Sequence, residues 1–441
     1  MEKQDSVRDT DFALSHGEHP YRFSSISEGG SILSSPCLAG DVLVFGCNDT
    51  YLYALDSEGN KRWSYKTGGC IFSSPTAYAD TVVTGSNDGF LYALSLEGEL
   101  RWKRDLQKKV FSTPLIVGGT VYVPANNGYL YALSTEDSKE LWTYYHATDL
   151  CFMGPAAAND RILYGQINGD VVCLSSEGKK LWSVPTGGAA AQTPLVVDAS
   201  GNEVSSFARR SFSSFPKSKS YRTVIGSADG YVRCLDTENG AAIWAFNAHL
   251  MGSSSPAAAN GLLFFGSFDG HVYAVDNQGK MKWKFLTGNR IVSSPIVHDG
   301  IVYVGSSDHN MYALDAQRGT LLWRFLTDGE VVSSPVTDGK TLFVGSWDGN
   351  MYALSLKEQK LLWKFKTRYT TPSFIRKPFT VSAAEREPQL VKANDTATTR
   401  GENVGKTQYS PVSGEATNTF YGSSMSYKPK KPYEMDKEPY R

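Results

Sequence analysis

The sequence predicts an all-β chain of eight four-stranded blades closed into a ring, and three observations carry that prediction. First, Trp63, Trp102, Trp142, Trp182, Trp244, Trp283, Trp323 and Trp363 follow one another at 39, 40, 40, 62, 39, 40 and 40 residues. Second, a proline stands ahead of each: Pro36, Pro75, Pro114, Pro155, Pro194, Pro256, Pro295 and Pro335. Third, every copy is cut by short turns, many of them Asn-Gly or Asp-Gly, between apolar runs; a type I′ hairpin turn needs the positive φ those residues tolerate. A unit of about 40 residues with four strands has the size of a propeller blade. One such sheet cannot bury both faces until neighbours stack on it, which explains the repetition. The expectation is an eight-bladed β-propeller over residues 25–370, preceded by an N-terminal extension (1–24) and followed by a disordered tail (371–441).

Each copy parses into strands A to D, running from the proline to the tryptophan. In the second copy these read "SPTAYADT", "VVTGS", "FLYALS" and "ELRWKRD". The fifth copy carries 22 additional residues between strands A and B, within 199–221. A connection at that point is expected to project from the bottom face, opposite the B–C turns. It combines Arg209, Arg210, Lys217 and Lys219 with serines and with Phe207, Phe212 and Phe215. Such a loop reads either as a phosphorylation-regulated docking segment or as a disordered one. The tail spaces Tyr409, Tyr421, Tyr427, Tyr433 and Tyr440 among Lys, Ser and Pro, a composition suited to short binding motifs on a disordered chain.

Composition narrows the function classes. With 44 basic and 45 acidic residues, the chain has no general positive field for nucleic acid. The first 23 residues contain no apolar run that reads as a secretory leader, and no 18-residue apolar stretch exists, so a cytoplasmic protein without membrane contact is expected. Six scattered cysteines without a Cys-x-x-Cys read as small buried side chains. The seven histidines form no His-Glu-x-x-His or Cys/His cluster, and no phosphate-binding loop occurs. No catalytic residue, metal ligand or cofactor is predicted.

Strand order places the D–A and B–C connections on one face, the top. Small or polar residues dominate the second position of the B–C turns, except Ile167, Phe268 and Trp347. An aromatic at a turn tip is expected to face solvent and to serve as an interaction hot spot. The alternative is a ring folded onto its own blade or over the mouth of the axial tunnel. The D–A connections add Lys108, Lys109, Asp149, His249, Arg290 and Glu330 around the axis. The candidate interaction surface is therefore Phe268, Trp347, Arg290, Lys108, Lys109 and His249.

The phrases "YALDSEGNKRW", "YAVDNQGKMKW", "YALDAQRGTLLW" and "RCLDTENGAAIW" resemble the tryptophan-docking repeat of the pyrroloquinoline-quinone (PQQ)-like propellers. The resemblance spans residues 31 to 367. It implies that each tryptophan stacks on the neighbouring blade, the small Ala of the motif leaving room, with Cys173 and Cys234 replacing that Ala in blades 4 and 5. It also evokes the quinone-dependent dehydrogenases, yet no adjacent cysteine pair and no assignable calcium ligands or catalytic Asp occur here. Two non-enzymatic relatives are nearer in build: the propeller lipoprotein of outer-membrane barrel assembly, and the propeller region of aminoadipate-semialdehyde-dehydrogenase-type synthetases. The resulting expectation is a monomeric scaffold for protein partners. The alternative is a small-molecule or PQQ-binding propeller, an oxidoreductase working in its axial funnel.

Overall fold

The computed structural model describes residues 30–368 apart from 146–152, 191, 219, 251 and 253, together with the backbone of 390–392. In each of eight blades, strands A to D lie in chain order, each antiparallel to the next. Blade 1 is typical: Cys37–Ala39, Val42–Gly46, Tyr51–Leu55 and Lys61–Lys66. Strands B and C are apolar almost throughout and buried on both faces, as in "VLVFG" and "YLYAL". Strand D alternates, so in Lys360–Lys366 Leu361, Trp363 and Phe365 are half-buried while the intervening side chains meet solvent. That period of two is what a strand with one packed face requires.

The tryptophans hold the blades together. Each lies directly opposite a small residue on strand C: Ala54, Ala93, Ala132, Cys173, Cys234, Ala274, Ala313 and Ala353. The register shifts by one residue immediately afterwards in every blade, a bulge that twists strand D. The indole then reaches the C–D turn of the next blade. Trp63 Nε1 donates to Leu96 O at 2.7 Å, Trp102 to Thr135 O at 2.8 Å, and Trp363 closes the circle on Ser57 O at 2.8 Å. Seven of the eight make this bond. Trp323 is instead fully buried.

A second fastening runs around the axis. At five of the eight steps around the ring, the residue just before the proline donates its N–H to the hydroxyl of its counterpart in the next blade: Thr193 to Ser255, Ser255 to Ser294, Ser294 to Ser334, Ser334 to Ser35, and Ser35 to Ser74, at 2.8–3.0 Å. The seam between blades 8 and 1 uses the same bond as its neighbours, with no strand exchanged between the two blades among the described residues. Five of the six cysteines are described and are free thiols, four of them buried; Cys151 lies outside the described residues.

The insert does not project. It turns inward, and its two short strands attach to inner edges: Glu203–Ser205 on strand A of blade 5, and Ser211–Phe212, in parallel, on strand A of blade 3. Ile116 N–H donates to Arg210 O and Gly118 N–H to Phe212 O, both at 2.9 Å. Ala157 N–H of blade 4 donates to Ser205 Oγ, and Arg210 reaches Pro75 O of blade 2. The cause is the unpaired backbone along each inner strand, which water in a narrow channel serves poorly. Phe212 and Phe215 pack against the core between blades 3 and 4. The segment thus plugs the bottom of the channel.

The N-terminal extension and most of the tail lie outside the described residues. In the tail, Leu390–Lys392 forms a fifth strand on the outer edge of blade 7, antiparallel to Trp323–Phe325. No helix among the described residues is long and apolar enough to cross a membrane.

Candidate functional site: the top face and the axial channel

The B–C turns and D–A connections meet as expected. The second residue of the turn donates its N–H to a D–A carbonyl: Asn48 to Ser31, Asn87 to Cys70, Phe268 to Leu250, Ser307 to Arg290 and Trp347 to Glu330, at 2.8–3.1 Å. The turn carboxylates are engaged in holding this geometry. Asp88 Oδ2 accepts from Tyr92 Oη at 2.6 Å and from Gly68 N–H at 2.7 Å. Asp308 does the same with Tyr312 and Gly288, and Asp348 with Tyr352 and Asp328. Burial, followed by the adjacent carboxylate, pushes Tyr92, Tyr312 and Tyr352 well above the ordinary phenol range, so they remain proton donors. These Asp–Tyr pairs act as turn staples rather than acid/base catalysts.

Of the candidate surface residues, three cluster. Phe268 stands on the B–C turn of blade 6, Arg290 on the connection from blade 6 to blade 7, and Trp347 on the B–C turn of blade 8. The two aromatics are half-buried rather than fully solvent-facing. The Phe268 ring covers Gly252 so closely that a Cβ there would lie 1.9 Å from it, and Ser31 Oγ donates to Trp347 O at 3.0 Å across the seam. The Phe268 ring therefore leans on the connection between blades 5 and 6, while the backbone of Trp347 is bonded to the connections on both sides of blade 8. Between them Arg290 lies 3.5 Å from Glu330 and 3.5 Å from Ser307 Oγ. His249 is exposed beside this sector, in the connection from blade 5 to blade 6, at φ +62°. Lys108, exposed, and Lys109, half-buried, sit between blades 2 and 3, on the other side of the ring. Asp149 lies outside the described residues.

The channel contains residues that sequence reasoning missed. The hydroxyl belt was signalled by the recurrent Ser-Ser-Pro, but its role in joining blades was not readable from one copy. Arg210 and Glu203 of the insert enter the axis. Glu203 accepts from Ser206 Oγ at 2.6 Å and from Ala258 N–H at 3.3 Å, and burial raises its pKa against these bonds. The calcium-associated quinone of the dehydrogenases needs clustered oxygen ligands. Among the described residues no group of three or more His, Cys, Asp or Glu could hold a metal, and Glu330 already faces Arg290.

The family model described as "Outer membrane protein assembly factor BamB" matches residues 49–204 and 228–373. No curated protein matches the chain. Among solved structures, BamB from Moraxella catarrhalis is similar at 21% identity, covering 73% of this chain and 93% of that one, with a TM-score of 0.59. A europium-containing methanol dehydrogenase shows 14% identity over 74% and 85% of the two chains, TM-score 0.61. Saccharomyces cerevisiae Sqt1 shows 13% over 75% and 97%, TM-score 0.62. At these identities the structures share the fold, while the repeat-by-repeat match of the family model covers more than half the chain. The chain belongs to the BamB-type family of PQQ-like repeat propellers.

Proposed function

We propose that this propeller is a protein-interaction scaffold whose top face, in the sector of blades 6 to 8, receives a protein partner. The observation that supports it is the placement of Phe268 and Trp347 on the B–C turns of blades 6 and 8, on either side of the Arg290–Glu330 pair, on a face whose turn carboxylates are otherwise engaged in structure. Partly exposed aromatics beside an arginine, on a rigid platform, are the residue types that dominate binding energy at protein interfaces. Rigidity lowers the ordering cost on association. The membership of BamB in the same family and the likeness of fold to Sqt1 are consistent with this reading.

Affinity capture with the wild-type chain and with the Phe268→Ala/Trp347→Ala double variant tests it. The expected outcome is loss of one or more partners, with affinity reduced at least tenfold and an unchanged circular dichroism spectrum. Identical partner sets would remove the top face from consideration. The small-molecule alternative is separated by titrating PQQ with calcium. A saturable rise in melting temperature favours it, since a ligand that binds the native state stabilises that state.

A further inference from the structure

The rim of the propeller is built from the eight strands D, and charge is spread unevenly over them. Seven carry at least one charged residue: KRWSYK, LRWKRD, ELWTYY and KLWSVP in blades 1 to 4, and MKWKFL, LLWRFL and KLLWKFK in blades 6 to 8. Strand D of blade 5, Ala242–Asn247, reads AIWAFN and carries none. Charged side chains on an edge strand oppose its pairing with another chain. An edge rich in β-formers, without charge or proline, is a template for an added strand. This edge is accessible. Ile243 is 45% exposed, Ala245 and Asn247 are exposed, and Trp244 and Phe246 are half-buried. Among the described residues no strand pairs with its outer side. In blade 7 the equivalent strand does take an antiparallel partner, Trp323 to Phe325 against Leu390–Lys392. The backbone of strand D can therefore extend its sheet outward.

Symmetry selects the occupant. When a strand pairs antiparallel with its own copy about a two-fold axis at its middle, the middle residue faces itself. Like charges directly opposite one another destabilise such a pair. The middle position follows the docking tryptophan, and in blades 2, 6, 7 and 8 it holds Lys103, Lys284, Arg324 and Lys364. In blade 1 Arg62 would meet Lys66, and in blade 4 Pro185 has no N–H to give. Blade 3 escapes these clashes, but its strand carries Glu140, tied to Arg104 of blade 2 at 3.0 Å. In blade 5 the middle residue is Ala245, and the Trp244 position stands opposite the Phe246 position, an aromatic cross-strand pair. The rim of a closed ring is convex, so one blade of each copy meets the other. A single strand pair buries less than the roughly 1,200–2,000 Å² of stable interfaces, so the association is weak and driven by concentration.

We infer that strand D of blade 5 is a self-association edge. Two copies of this chain pair Ala242–Asn247 antiparallel about a two-fold axis at Ala245, joining their fifth blades into one continuous sheet, in place of the monomer expected from the sequence. The edge lies on the rim, apart from the partner surface proposed for the top face.

Sedimentation equilibrium of the full chain over a rising concentration series tests this. The wild type is expected to climb from the mass of one chain toward that of two, and Ala245→Lys to stay at one. Blades 2, 6 and 8 already carry lysine at this position, so the fold tolerates the change. Thr143→Lys, the equivalent change in blade 3, is expected to leave the association intact. Amide exchange at 243–247 of the wild type, expected to slow as concentration rises, supplies the second readout. A wild type that stays at one chain mass, association that survives Ala245→Lys, or association lost in Thr143→Lys would overturn the inference. So would protection of 243–247 that is independent of concentration, which assigns the edge to a strand of the same chain.

Discussion

At the scale of single residues, the docking tryptophan and the turn glycine beneath it form one unit. Gly98 has φ +89°, and a Cβ there would lie 2.7 Å from the Trp63 ring. Gly178, Gly240 and Gly279 meet Trp142, Trp182 and Trp244 in the same way. Two costs then separate cleanly. Gly40 also has positive φ (+62°), but a Cβ there meets nothing within 4 Å. Gly40→Ala is expected to cost only the backbone term, about 1 kcal/mol, and Gly98→Ala about 2–4 kcal/mol, since the indole must also shift. Urea denaturation of the two variants checks this; equal losses would show that the ring has room to move. The tryptophan and its opposing Ala or Cys were legible in the sequence because strand pairing recurs at constant spacing. The glycine's partner was not, because the contact crosses to another blade.

At the scale of elements, the two additions to the regular blades went where unpaired backbone was available. The insert took inner edges, and the tail took an outer one. Among the described residues every blade except blade 7 ends in a strand D with no further strand on its outer side, a template for added strands. In blade 7 that side is paired with Leu390–Lys392, and Trp323 and Phe325 are fully buried there. In blade 8 the equivalent Trp363 and Phe365 are half-buried. Truncation after residue 370 is expected to leave the eight blades folded and to speed amide hydrogen exchange at 323–325 selectively. Unchanged exchange there would mean that the added strand protects nothing. Neither destination could be read from composition, since a basic, serine-rich stretch and a polar tail carry no apolar period to show which edge they complete.

At the scale of the whole molecule, the ring closes with ordinary interfaces. Ser334 N–H to Ser35 Oγ, Trp363 Nε1 to Ser57 O and Ile32 N–H to Ser346 O repeat the bonds found between consecutive blades. The two ends of the propeller also meet, with Thr367 Oγ1 donating to Gly30 O at 2.8 Å. A circular permutant joining 368 to 30 through a short linker and opened in the connection after blade 6, at 288–289, is therefore expected to fold. Its melting temperature should stay within a few degrees of that of the parent propeller. Failure to fold would show that blades 8 and 1 close only under the original chain order.

By itself the sequence determined the number of blades, the order of their strands, the position of the docking tryptophans and which connections share a face. All of these follow from a period along the chain, and each blade needs a neighbour to bury its second face. Only the tertiary structure decided that the insert turns into the axis, that Arg210 lies there beside the hydroxyl belt, and that the Phe268 ring leans onto the top connection beside it. Those outcomes depend on which unpaired edges and cavities the closed ring leaves open, and such edges exist only once eight blades have met.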